Sequence, residues 1–399
     1  MKKITALFLS LLLTLSFASC NNTNDTSSVT GETVSLKVWG SQEDQALLTS
    51  IIEDFKKQNT NKTYNIELGV VGENDAKTRV LEDPASAADV FSFISDQIID
   101  LTNASALYEI TRNADTIRSQ NLAGSVDAAS IGDSLFAYPM TADNGYFLYY
   151  DKSVFTEEDV KSFEKMLDVA EESNRKVLMA IDDGWYLASF FLGAGCTISL
   201  DENGKQVCDF DNETGVAVAQ AVQNLAKHPA FLAGDDSILT GGIGHTICAG
   251  ISGTWNAEAI KKALGENYAA TKLPTFELNG EDVQMGSFAG YKLVGVSAST
   301  RHPVDAMKLA EFITNEQNQI KRLEERQMGP SNINASKSEK IKENVALSAL
   351  AQQNQYASSQ KDVLGGFWDP MKALGTALLK GSDKSVKELL TATVSQIEG

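Results

Sequence analysis

The apolar residues between Val34 and Ile94 change their spacing in a way that leaves few folds open. Val34-Ser35-Leu36-Lys37-Val38-Trp39 alternates as a strand does, and Leu47, Leu48, Ile51, Ile52 and Phe55 then fall on one helical stripe. Tyr64, Ile66, Leu68 and Val70 alternate again; a short helix over about Asp75–Leu81 precedes a third extended run, Asp89–Ile94. Strand, helix, strand, helix, strand predicts an α/β protein with a parallel sheet and helices on both faces. Asp96 falls just past the third strand's carboxyl end, where ligand groups gather in such sheets. The chain's 399 residues exceed what one core organises, so two lobes are expected.

Further on, Leu135–Pro139 and Gly145–Tyr150 read as extended segments joined through Met140–Asn144, a place where the chain would cross between lobes. Helices are expected over Glu157–Glu172, Gly215–Lys227, Pro303–Glu325, Lys337–Gln353 and Lys384–Gln396, and a strand over Val177–Ile181. Asn203-Gly204 between extended runs marks a hairpin. Cys196 and Cys208 flank it. They form a cross-strand disulfide if the register sets them opposite one another, and otherwise remain two half-buried thiols.

The amino terminus reads as an export signal. Met1-Lys2-Lys3 is a basic start, and Ala6–Phe17 is an apolar run too short to span a bilayer. It ends in Phe17-Ala18-Ser19-Cys20, small residues before a cysteine that resemble a bacterial lipobox, with Cys20 as the lipidated residue. The alternative is a secretory signal that leaves Cys20 in a free tail. Residues 21–33 are polar and read as a flexible tether. The net charge of −19 and the lack of a dense Lys/Arg run argue against nucleic acid as a partner. The charge also disfavours adsorption to an anionic membrane, so an attached lipid would have to do the anchoring.

Motifs for nucleotide, metal and nucleophile chemistry fail one by one. Gly72–Thr78 lacks the glycine before its lysine that a phosphate loop needs, and Gly295–Ser299 lacks a nucleophile elbow's second glycine. Asp209–Gly215 lacks a calcium loop's sixth-position glycine, and His228, His245 and His302 are too dispersed in sequence to suggest a zinc site. What remains is aromatic. The chain has four tryptophans, Trp39, Trp185, Trp255 and Trp368, each near an expected strand end or loop and beside polar residues. A sugar ring offers an apolar face and a hydroxyl rim, so its site wants aromatic platforms with carboxylates and amides at the edge. Asp182-Asp183-Gly184-Trp185 and Trp368-Asp369 supply both kinds of group.

Six segments in consistent order carry a family resemblance: LKVWGSQED, ADVFSFISD, LFAYPMTADNGYFLYYDKSVF, GISGTWN, KLPTF and GGFWDP. From about Leu36 to the end, the chain resembles the extracellular solute-binding proteins of bacterial carbohydrate ABC transporters, closest to the maltose/maltodextrin-binding branch. The resemblance implies the two-lobed periplasmic-binding-protein fold of type II, without enzymatic activity, cofactor or metal. It places the substrate contacts at Trp185, Trp255, Trp368, Asp96, Asp143, Asp183, Glu43 and Asp44. The branch's lysine in the first loop and arginine after the third-strand aspartate are replaced here by acids and by Gln97.

The expected division is 1–20 signal, 21–33 tether, 34–142 with 290–328 as one lobe, and 143–289 with 329–399 as the other. The expected function is capture of malto-oligosaccharides by a monomer held to the outer face of a bacterial membrane through Cys20. The sugar would pass to ABC-transporter permease subunits. A surface glycan-capture protein without a transporter, or an extracellular glycoside hydrolase, would share these features.

Overall fold

The computed structural model describes residues 32–399. The signal segment, Cys20 and the tether through residue 31 lie outside the described residues. The last two tether positions are already structured: the Glu32 carbonyl accepts from the Thr63 N–H at 3.0 Å, and Thr33 opens the first strand.

The first sheet forms as its spacing predicts. Thr33–Gly40 pairs in parallel with Thr63–Val70 on one side and Val90–Ile94 on the other. The helices Gln45–Gln58 and Ala76–Glu82 connect them. Val34, Leu36 and Val38 meet Leu47, Leu48, Ile51, Ile52 and Phe55 in one buried cluster, so the period-2 and period-3.6 stripes close on each other. The sheet is then completed from distant sequence. Ser287–Val296 runs antiparallel to Val90–Ile94, and Ala137–Asn144 runs antiparallel to Ser287–Val296.

The second sheet has the order Phe231–Leu232, Lys176–Leu178, Ile247–Gly253, Tyr146–Asp151, Tyr268–Thr271. Tyr146–Asp151 is buried at every position and apolar but for its last residue, as a strand covered on both faces must be. Its residues alternate between two cores: Tyr146, Leu148 and Tyr150 enter one, Phe147 and Tyr149 the other.

Three stretches lie side by side between the sheets. Asn144 pairs with Gly290, the Ala142 N–H donates to the Gly329 carbonyl at 2.9 Å, and Thr141 bridges to Pro330. A Cβ on Gly290 would stand 2.8 Å from Asn144 Nδ2 and 2.9 Å from Gln360 Oε1, so a larger residue there would push both amides aside.

Several expectations are corrected. The helix expected over Pro303–Glu325 is two, Pro303–Ile313 and Glu316–Arg326, because the Asn315 side chain accepts from the Asn318 N–H and starts a new helix. Asn344 likewise caps Val345–Gln353, dividing the helix expected from Lys337. Ala357–Ser359 and Ser287–Ala289, both assigned by sequence to the second lobe, pair with each other at the end of the first sheet. The helix Gly184–Gly193 is buried along most of its length and apolar all round, so it carries no periodic signal.

The Cys196–Cys208 disulfide does not form. The hairpin register sets Ile198, not Cys196, opposite Cys208. Both thiols and that of Cys248 are free and buried. Burial pushes Cys196 up to about 11 and Cys208 and Cys248 up to about 12.

Candidate ligand cleft

The three expected platform tryptophans each sit at an element end. Trp185 is the second residue of Gly184–Gly193, whose amino end is capped by Asp183 Oδ1 accepting from the Trp185 N–H at 2.8 Å. Trp255 lies in the single 3-10 turn Thr254–Asn256 that follows Ile247–Gly253, and Trp368 opens Trp368–Lys380. All three side chains are half-buried.

The structure brings Trp185 and Trp255 together, with ring centroids 5.9 Å apart and planes inclined at 37°. Each is fixed by a polar partner. The Trp255 Nε1–H donates to Asp236 Oδ2 at 2.7 Å, and Asp236 Oδ1 accepts from the Ser252 hydroxyl at 2.7 Å. A Cβ on Gly253 would stand 2.0 Å from the Trp255 ring, so only glycine lets the indole lie against its own strand end. The Trp185 Nε1–H donates to Gln360 Oε1 at 3.0 Å, and its ring meets Tyr146 edge-on at 4.5 Å. Trp368 stands apart from this pair. Its ring packs edge-on to Phe367 at 5.0 Å and Phe288 at 5.8 Å, while its carbonyl would stand 3.0 Å from a Cβ on Gly184.

The first sheet contributes the facing polar groups. Asp96 follows Val90–Ile94 directly, and its Oδ1 is shielded from solvent without a hydrogen-bond partner. Burial pushes this carboxyl up to about 7; its own N–H, the Lys77 ammonium and the Gln360 amide oppose the rise. Lys292, from Ser287–Val296, stands over the Trp255 ring. Glu73, on the loop after Thr63–Val70, is 7% exposed, with a long 3.3 Å contact from Ser92 to Oε1. Asp183 is reached by solvent, yet the protein crowded around it raises its carboxyl above the usual range, the Trp185 N–H opposing.

Two expected contacts, Asp44 and Asp143, also serve the fold. Asp44 is buried and paired with the guanidinium groups of Arg322 and Arg326, so it braces the helix Glu316–Arg326 against the first strand's loop. Its neighbour Glu43 is exposed. Asp143 is buried too: its Oδ2 accepts from the Gly329 N–H at 2.7 Å and the Thr254 hydroxyl at 3.0 Å, joining two of the stretches between the sheets, while its Oδ1 is shielded without a partner. Gln97 clamps the Glu73 loop by donating to the Glu73 carbonyl at 2.9 Å. Sequence reasoning missed Gln360, Lys292, Asp236 and Glu73. Asp236 alone carried a signal, as an acid in the first turn of a helix.

A cavity of about 550 Å³ opens among Ser35, Lys37, Tyr64, Asn65, Glu67 and Asp89. It is lined by no tryptophan and lies toward the amino ends of the parallel strands, away from the cleft groups. Among the described residues no cluster of His, Cys, Asp and Glu is placed to hold a metal ion. No described helix is long and apolar enough to cross a membrane.

Two α/β lobes joined by several crossings, with aromatic and carboxylate groups meeting between them, define a two-lobed binding protein. The chain belongs to the bacterial extracellular solute-binding protein family, whose pattern matches residues 50–349. It is 28% identical to the galactooligosaccharide-binding protein of Bacillus subtilis (strain 168), over 92% of this chain and 90% of that one. A structure solved with acarbose is 30% identical, with a TM-score of 0.84 over 92% of this chain and 99% of the other. The ligand-free maltodextrin-binding protein MalE1 of L. casei BL23 is 24% identical and shares the fold, with a TM-score of 0.78 over 92% of this chain and 99% of that one.

Proposed function

We propose that this protein captures malto-oligosaccharides between its lobes and delivers them to the permease of an ABC transporter. The observation that carries the reading is the pairing of Trp185 with Trp255, each held by a side-chain acceptor, beside the unpartnered Asp96 Oδ1. Two inclined aromatic faces suit a curved α-linked chain, and the carboxylate suits its hydroxyl rim. Trp368 and Asp183 would extend the platform, and exposed Glu43 would meet the terminal sugar.

In this reading the stretches at Thr141–Asn144, Gly290 and Gly329–Pro330 are the hinge, and ligand contacts with both lobes favour the closed state. Lipid on Cys20 holds the protein at the outer face of the membrane. Galactose-based oligosaccharides are the second reading, favoured by the B. subtilis relative. Hydrolysis is disfavoured because Asp183, the acid nearest Trp185, spends an oxygen on capping a helix.

Calorimetric titration with maltotriose and with a β-galactotriose, alongside an assay for released monosaccharide, tests all three. Heat with maltotriose and no release supports the proposal. Heat with the galactan alone replaces the ligand, and turnover replaces the function.

A further inference from the structure

Lys292 is buried without an anion. It lies on Ser287–Val296 opposite Ile94, is 8% exposed, and holds its Nζ 5.8 Å from the centre of the Trp255 ring. Among the described residues no ion pair and no hydrogen bond reaches that ammonium. A cation–π contact returns only part of the hydration a buried ammonium loses, and three N–H donors are left open.

The acceptors around it are already engaged. Asp236 uses both oxygens on Ser252 and Trp255, and Gln360 Oε1 accepts from Trp185. The exceptions are Asp96 Oδ1, two residues along from Lys292's partner Ile94, and Thr141 Oγ1 and Asp143 Oδ1 on its other neighbouring strand; none of them bonds to its ammonium. Lys292 and Asp96 thus leave an open donor and an open acceptor that do not satisfy each other. A group able to accept from one and donate to the other fills the gap, and a sugar hydroxyl does both. A carboxylate would satisfy Lys292 and repel Asp96.

We propose that Lys292 is a specificity-determining residue that donates to an oxygen of the sugar seated on Trp255 and selects a neutral polyol over an acidic sugar. The inference rests on the carbohydrate reading above and goes beyond it in naming the residue and the ligand's charge.

The test is calorimetry of the wild type, Lys292→Met and Lys292→Arg with maltotriose and with its monodeoxy analogues. Met keeps the length of the side chain without the donors. Lys292→Met is expected to weaken binding roughly ten- to hundredfold, the range of a hydrogen bond to a charged group. Lys292→Arg should recover most of that loss. One deoxy position should weaken the wild type but not the Met variant, a pattern that a merely structural lysine does not produce.

Unchanged or tighter binding by Lys292→Met overturns the proposal, since the ammonium would then only cover an empty indole. Tighter binding of a glucuronate-terminated oligosaccharide by the wild type overturns it as well. If the Met variant does not fold, Lys292→Leu, also without donors, takes its place with the same two outcomes. A wild type that binds β-galactotriose but not maltotriose removes the α-glucan reading alone, and the variants are then read on that galactan.

Discussion

The indole N–H of Trp255 donates to the Asp236 carboxylate, whose other oxygen holds Ser252 on the strand that leads to Trp255. One side chain therefore fixes both the platform and the strand end beneath it. Asp236→Ala frees the ring and leaves its N–H unpaired, and we expect about a tenfold loss of oligosaccharide affinity, roughly 1.4 kcal/mol. Calorimetry checks this, and unaltered affinity would mean that the ring holds its pose unaided.

Trp185→Ala and Trp255→Ala should each cost roughly 1–3 kcal/mol of binding, about one to two decades. Trp368→Ala should also lower thermal stability, because its ring packs between Phe288 and Phe367. Paired melting and titration curves separate the cases. Intact affinity in a strongly destabilised Trp255→Ala protein would move that residue from the cleft to the core.

Asp96 gives the protein a pH signature. Its carboxyl rises from an ordinary 3.8 to about 7, so between these values the folded state binds more protons than the unfolded one. Stability contributed by the protonated form is full below about pH 4 and is lost as pH climbs toward 7. Asp96→Asn should flatten that part of the melting profile. A ligand hydroxyl donating to Oδ1 favours the ionised form, so binding should release protons near pH 6–7, roughly the range just below the shifted value. Titrations in buffers of different ionisation enthalpy measure that release, and equal heats in both would count against contact with Asp96.

Asp44→Asn leaves the Arg322 guanidinium buried beside Arg326 without its carboxylate. Two of its nitrogens, Nε and Nη2, already lack partners. A loss of about 3–5 kcal/mol of stability is expected, with sugar affinity retained by the folded fraction. Glu43→Gln should leave stability unchanged within about 0.5 kcal/mol. Denaturant melts of both proteins test the contrast between adjacent acids.

The three thiols among the described residues should resist a water-soluble thiol reagent until the protein is unfolded, since Cys196, Cys208 and Cys248 are buried and unpaired. Rapid labelling of the native protein would contradict their placement.

The first four elements were legible because each buries one face, which writes its period into the sequence, and Val90–Ile94, buried throughout, was legible as a short apolar run. The cleft was legible only where aromatic residues announced it. Asp44 and Glu43 are equivalent in a string of letters, and only a helix arriving from residues 316–326 makes one a brace and leaves the other exposed. Lys292 and Gln360 are single polar residues whose meaning depends on partners far along the chain, Trp255 and Trp185. Cys196 and Cys208 bracket a recognisable turn, but flanking a hairpin does not set its register.

Val90–Ile94 acquires its second neighbour only when Ser287–Val296 has been made, and that strand is extended in turn by Ala357–Ser359. A nascent chain therefore cannot finish its first lobe early. Until most of the sequence has been synthesised, Val90–Ile94 keeps an open edge, and the loop that must close to fill it is long. The architecture builds in a delay between synthesis and folding, which keeps the polypeptide threadable for longer. A permuted version in which residues 287–296 precede residue 90 through a short turn should fold sooner and pass less readily through an export channel.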